Sequence, residues 1–425
     1  MSVLIKLINI QLEGLFMTFK IRMMKHYILL VLMVMPCMNL FSQDVFRYHK
    51  SSIYSIMLKH ENQEYCDELV SCFNKIPVPD KFSNHNLSVR VFKAGILEES
   101  DTTSAANQKT HIDALLKKNA IGRRLVAKWF NHSKSGTFNP NLLLERGFYN
   151  VSAEDITMLM KTYRTQDGIL YDAGEELIGH TYVLVNDIRY GDKRSAKEKR
   201  MSVALGIGTA LSVIPFVGQG VMAGAGILTN DYSGFNVTVT SYLYRLKWDK
   251  EVEDGFYQLY YTETPDAGKK QAFAKDKELF SLEYVGDYTV HSGNSNFKGI
   301  NGREEQIRKV CTRAIDKAIA QLQKKHPQFR VRTPLLTVSP ITAQIGLRED
   351  VDVNSKYEVL EVGESKDGRT TYKRVAVVKP KKGAIWDNRY LAEFEEDYNA
   401  SIKATEFELV SGSIPHEGVL IREID

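Results

Sequence analysis

The segment ALGIGTALSVIPFVGQGVMAGAGIL, residues 204–228, decides how the rest of the chain is read. It holds six glycines and Pro215, and no charged residue occurs from 201 to 230. That length matches a membrane-spanning helix, but a proline at its centre breaks or kinks one. A strand pattern lies on each side, TYVLVNDIRY (181–190) before it and FNVTVTSYLYRLKW (235–248) after it. A single crossing would separate these strands, which read as neighbours in one sheet. Two short pieces, MSVALGIGTALSV and GQGVMAGAGIL, joined at IPFVG, resolve the conflict. Small residues let two backbones approach closely, and both ends then return to one side. Residues 201–230 are therefore read as a glycine-rich apolar hairpin, buried in protein, packed in an oligomer or seated in a bilayer. Its candidate membrane or assembly contacts are Gly206, Gly208, Pro215, Phe216, Gly220 and Gly224. A nucleotide loop does not fit. GQGVMA (218–223) matches G-x-G-x-x-A, yet no clear strand precedes it and Asp231 comes too soon to be the ribose-binding acid.

The start of the chain carries a second topogenic signal. MMKHYILLVLMVMPCMNLFSQDV (23–45) has a basic start at Lys25, an apolar run and a small residue, Ser42. This is the layout of a secretory signal peptide, with cleavage expected after Ser42. The residues before Met23 make the leader long, as an upstream start codon would. Export then leaves Cys66, Cys72 and Cys311, an odd set. Cys66 and Cys72 fall on one predicted helix about 9 Å apart along its axis, beyond disulfide reach. With 425 residues and 43% hydrophobic content, the chain has the size to bury a core without such bridges. Its net charge of +4, from 56 basic and 52 acidic residues, is too balanced to indicate a nucleic-acid partner.

Three regions follow: a leader and signal peptide (1–42), a mixed α/β domain (43–328) and a small antiparallel β domain (329–425). Residues 43–180 read as mostly helical. HENQEYCDELVSCFNKI stops before Pro77, and HIDALLKKNAIGRRLVAKWF reads as two helices meeting near Gly122. LSVRVFKAGIL alternates like a strand, and SAEDITMLMKTY opens with a capping box. Beyond the hairpin, REEQIRKVCTRAIDKAIAQLQKKH carries one apolar stripe, from Ile307 through Cys311 to Leu322, and ends before Pro327. After residue 329, PLLTV, ITAQIGL, KYEVLEVG, TYKRVAVVKP, TEFELV and GVLIREI give short strands of a barrel or sandwich. The fold class is α+β.

Catalytic and metal motifs are weak. DVDVNSKYEVLE (350–361) approximates a calcium loop, with Asp350, Asp352, Asn354 and Glu361 as oxygen ligands. Ser355 stands where the loop needs glycine, and the flanks read as strands, so a polar turn is the favoured reading. No histidine falls in H-E-x-x-H and no cysteine pair has C-x-x-C spacing. Cys311 lies in the apolar stripe, where packing is its expected role. The dense set from Tyr242 to Tyr261 reads as core, with a sugar- or peptide-binding face as the alternative. No cofactor is indicated.

Two resemblances bear on function. The blocks LVNDIRY, YLYRLKW, RKVCTRAIDKAIAQLQKK, KYEVLEV and AIWDNRY, with the signal ending LFSQ, resemble an uncharacterised secreted family of Bacteroidota. ELIGHTYVLVNDI, VTVTSYLYRL and the long helix are similar in architecture to the α/β domain of curli-secretion channel proteins and of flagellar assembly protein T. The latter resemblance implies a non-enzymatic envelope protein that assembles with others. The combined expectation is a non-catalytic exported protein, periplasmic or outer-membrane-associated. It would bind a protein partner or itself, with contact to a membrane surface, through the hairpin and the β domain. An exported hydrolase acting on glycan or peptide is the alternative.

Overall fold

The computed structural model describes residues 50–94, 105–150, 174, 176–191, 236–293, 302–364 and 370–424. The expected signal peptide, the expected capping-box segment 152–163 and the expected apolar hairpin 201–230 with its six candidate contacts lie outside the described residues. The described chain is α+β, with a mixed sheet between two helical layers and a second, closed sheet near the C-terminus.

The mixed sheet contains β1 (Ser52–Lys59), β2 (Ser83–Asn84), β3 (Val91–Lys93), β4 (Thr181–Gly191), β5 (Asn236–Leu246) and β6 (Leu282–Gly293). Its order is β2-β1-β4-β5-β6, with β3 also paired to β1. β2, β3 and β4 run parallel to β1, whereas β5 and β6 are antiparallel to their neighbours. Helices α1 (Cys66–Lys75), α2 (Ala105–Lys118), α3 (Ile121–Trp129) and α4 (Asn141–Asn150) precede β4. α5 (Lys250–Leu259) and α6 (Ala267–Lys275) follow β5, and α7 (Arg303–Lys325) follows β6.

β1 corrects the expectation of a mostly helical region before 180. Its sequence SIYSIMLK is buried on both faces: Tyr54, Ile56 and Leu58 meet one core, and Ile53 and Met57 the other. A strand covered on both sides has no polar face, so it lacks the alternation that identifies a half-exposed strand. The expected strand 87–97 shrinks to Val91–Lys93 among the described residues.

The helices follow their local chemistry. Asp249 caps α5 by accepting the Val252 N–H at 3.0 Å, and Asp266 caps α6 by accepting that of Lys269 at 2.9 Å. Ala120, at φ +48°, separates α2 from α3 two residues before Gly122. α7 starts with Glu304 and Glu305 and finishes with Lys324 and Lys325, matching the helix dipole. One core holds α1 and the apolar stripe of α7, including Cys311, Ile315 and Leu322. The opposite core is aromatic, with Trp129, Phe130, Phe256 and Tyr244 in it. Full burial of each such side chain contributes about 1.5–3 kcal/mol.

The Gly-rich segment is framed by described residues. Gly191, the end of β4, is the register partner of Asn236, the start of β5. The chain thus leaves and re-enters the sheet at neighbouring positions, whereas one straight crossing of a bilayer would separate its ends by about 30 Å.

The six expected C-terminal strands form a closed barrel of β7 (Thr333–Val338), β8 (Ile341–Ala343), β9 (Lys356–Glu364), β10 (Thr370–Pro380), β11 (Thr405–Gly412) and β12 (Leu420–Ile424). Leu335, Val359, Val378, Phe407 and Ile421 fill it. The barrel rests on the polar side of α7 through charges that are largely out of water. Arg348 Nε donates to Asp316 Oδ2 at 3.0 Å, and Lys81 Nζ lies 3.6 Å from Glu349 and donates to Gln323 at 3.2 Å. Glu395 is ion-paired with Lys309 at 2.9 Å and accepts Arg313 at 2.7 Å. Each buried charge here has its counter-charge, the condition under which such groups are tolerated in an interior.

Candidate functional site

The connections leaving β1 and β3 define a crevice. From β1 the chain moves through α1 to β2 and β3 on one side, and then returns to place β4 on the other side. In open α/β sheets this reversal opens a crevice at the carboxyl ends of the two central strands, where ligands bind. His60, just after β1, and Asp187, on β4, meet there, with His60 Nε2 2.6 Å from Asp187 Oδ1. Arg189 Nε donates to the same oxygen at 3.0 Å, and Gln108 Nε2 of α2 donates to Oδ2 at 3.2 Å. Gln63 ties the β1–α1 connection to β4: it donates to the Ile188 carbonyl at 3.2 Å and accepts the Tyr190 N–H at 3.1 Å. Burial pushes the Asp187 carboxyl up, but the hydrogen bond and charge of His60, then those of Arg189, outweigh it and hold the group below the usual carboxylate range.

Chemically this is an oriented imidazole. The carboxylate holds one ring nitrogen, the arrangement that fixes a general base. Among the described residues neither nitrogen of His60 hydrogen-bonds a serine, threonine or cysteine. The β1–α1 connection HENQEY has no glycine, so the close backbone approach of a dinucleotide pyrophosphate is not built in. Sequence reasoning missed this pair because 127 residues separate its members and β1 had no visible period.

The residues singled out from sequence are placed elsewhere. Asp350, at φ +59°, turns its carboxylate onto α7, where it accepts Lys324 at 2.9 Å, Gln321 at 2.6 Å and the Lys317 ammonium. Asp352 Oδ1 accepts the backbone N–H groups of Asn354 at 2.6 Å and Ser355 at 3.1 Å, which closes a polar turn. Glu361 sits on β9 opposite Lys373. A three-residue 3-10 helix (Leu347–Glu349) and β9 flank the turn, not the two helices of a calcium loop. Among the described residues, no three His, Cys, Asp or Glu side chains gather at metal-ligand spacing.

Among the described residues the thiols make no hydrogen bond to His60 or Asp187. Cys66, Cys72 and Cys311 are free and buried. Burial raises all three; Cys72 reaches about 11, with Glu304 adding to the rise. None is a poised nucleophile, since thiolate reactivity requires a lowered pKa. His180, at the start of β4, shares its Nδ1 with the Glu176 carbonyl at 3.0 Å. No family model matches the chain, and no curated protein sequence matches it.

Proposed function

We propose that this is a non-catalytic exported envelope protein that binds other proteins or itself. The apolar segment 201–230 is its association or membrane-contact element, and the C-terminal barrel is a recognition module. The observation that carries this reading is the pairing of Gly191 with Asn236. It makes the apolar segment an insertion between two adjacent strands, presented from one place on a rigid sheet. The barrel supports the reading with Leu409 and Val410, 48% and 52% exposed, on the stretch of β11 that extends beyond β8. Apolar residues presented together on a strand are the raw material of an interface. Among the described residues no helix is long and apolar enough to cross a membrane.

Fractionation of the native host with and without residues 203–228 tests this reading. The full chain is expected to resist carbonate extraction or to run as an assembly. The deletion variant, still folded by circular dichroism, is expected to be soluble and monomeric. Identical behaviour of the two would overturn the assignment of the segment.

The alternative, an exported hydrolase acting on glycan or peptide, is favoured by one observation, the Asp187-held imidazole of His60 in the sheet crevice. Hydrolysis by the purified chain that is lost in His60→Ala would establish it over the binding reading.

A further inference from the structure

The outer face of three adjacent barrel strands, β12, β9 and β10, gathers arginines around one carboxylate. Val359 and Ile421 point into the barrel core, so Glu358 and Arg422, one position away on each strand, point outward. These two are register partners. Arg422 Nε donates to Glu358 Oε1 at 2.7 Å, and Arg374 Nε of β10 donates to Oε2 at 2.8 Å. Both oxygens of this buried carboxylate are therefore occupied. The arginines themselves reach water, with the Arg374 side chain 55% exposed and that of Arg422 33%.

A third arginine beside them is unused. Arg332 stands just before β7, and its guanidinium lies over the Tyr372 ring of β10, 3.8 Å from the ring centre. Its charged neighbours are Arg422, Glu176 and Glu358. Among the described residues no side-chain N–H of Arg332 has a hydrogen-bond or ion-pair partner, and its Nε is buried. Arg330, two residues earlier, shows the contrast: it donates to the carbonyls of Gln323 at 3.1 Å and Lys324 at 2.7 Å. A buried donor without an acceptor is costly, and an acceptor arriving at Arg332 relieves that cost. Stacking on Tyr372 fixes the plane of the guanidinium, and its fork of donors matches the two oxygens of a carboxylate.

Charge selects the occupant. Arg332, Arg374 and Arg422 bring three positive charges against the two negative charges of Glu358 and Glu176. One carboxylate cancels the remaining charge, whereas a phosphate dianion exceeds it. We infer that the empty fork of Arg332 receives a carboxylate from an acidic segment of a partner polypeptide docked on the β12–β9–β10 face. This inference rests on the reading of the barrel as a recognition module and names the chemistry it recognises. Glu176 is exposed and lies in range of Arg332, so it competes with the incoming group.

The probe is a short capped peptide of alternating glutamate and glycine carrying an uncharged dye, titrated into the full chain by fluorescence anisotropy at low salt. Binding is expected for this peptide and not for the matched glutamine peptide. Arg332→Lys keeps the charge and loses the planar fork, so it should weaken binding about tenfold. Glu176→Gln removes the competing carboxylate and should tighten binding about threefold. Circular dichroism and thermal melts check that both variants fold. Equal binding of the glutamine peptide, a folded Arg332→Lys variant that binds as the parent does, a Glu176→Gln variant that binds no more tightly, or no binding at all would each overturn the inference. Fractionation with and without residues 203–228 does not involve this face. If fractionation succeeds while the peptide fails, only the carboxylate assignment falls; if fractionation fails while the peptide binds through Arg332, the role of the apolar segment falls and the assignment of the barrel face stands.

Discussion

Replacing Arg348 with methionine tests whether the barrel and the α/β layer are locked together by charge. Asp316 is 8% exposed, and Arg348 Nε donates to its carboxylate at 3.0 Å. Removing one partner of a buried pair costs about 3–5 kcal/mol, because the other charge is left uncompensated. Lys81 remains nearby and favours the Asp316 charge, so the low end, about 3 kcal/mol, is expected. That is a factor of about 150 in the folded-to-unfolded ratio. A chain of this size has an unfolding entropy of about 0.8 kcal/mol/K, so the melting temperature should fall by about 4 °C. Urea unfolding followed by tryptophan fluorescence is a suitable assay. Trp129 and Trp248 report the aromatic core, and Trp386, which bonds Thr405 through its backbone N–H at 3.0 Å, reports the barrel. Asp316→Asn combined with Arg348→Met should lose less than the sum of the single changes, by about 1 kcal/mol or more. The pH dependence has a definite sign. Burial raises the Asp316 carboxyl above its usual range even with Arg348 present. The folded state therefore holds more protons than the unfolded state above that usual range, and the stability contribution of this group falls as pH rises through the window. Without Arg348 the rise grows, so the variant's deficit should shrink on acidification toward pH ~5. A single variant within about 0.5 kcal/mol of the parent, or additive and pH-independent losses, would refute the account.

Trp129→Ala should cost about 3–5 kcal/mol in the same urea assay, since Trp129 is fully buried and donates to Thr181 at 2.8 Å. His85 should stay neutral by NMR at pH ~5: burial first and Arg146 next hold it well below the usual imidazole range. With that depression the unfolded chain gains a proton that the folded chain refuses, so stability declines as pH falls below about 6.5, and titration of the native imidazole near 6.5 would contradict this. A polar alkylating reagent should leave Cys66, Cys72 and Cys311 unmodified in the folded chain and label all three in urea; fast native labelling would contradict their burial. Leu409→Glu combined with Val410→Glu should leave stability within about 0.5 kcal/mol and weaken any association made by the barrel, read by sedimentation velocity.

Most elements that were legible in sequence have one wet face; β4, buried on both, was legible as a run rich in Tyr, Val and Leu. The α7 stripe and the six barrel strands alternate between core and solvent, so their periods survive in the sequence. β1 has no wet face and β2 is too short to show a period, whereas β3 lies within the expected strand 87–97. The junction was hidden for another reason. Lys309, Arg313, Asp316 and Lys317 lie opposite the apolar stripe of α7 and look like an ordinary solvated face, yet Lys309 is completely buried and Asp316 nearly so. Charge identity alone does not say whether water or a counter-ion will satisfy a side chain. The aromatic set from Tyr242 to Tyr261 was read as core and packs there, with Phe130 and Phe256 rings 4.5 Å apart. The polar turn after Asp350 follows from Ser355, which occupies the position where a calcium loop needs glycine. The crevice pair His60–Asp187 depends on a strand order that no local pattern contains.

The pairing of Gly191 with Asn236 also bears on how this chain can change over time. When two ladder partners already hold the ends of a connection, lengthening that connection is cheap: each doubling costs about 0.6 kcal/mol in closure entropy. On closure entropy alone, a lineage can therefore shorten or extend the connection between Gly191 and Asn236 at small cost. The same economy makes this junction the place to graft a foreign sequence.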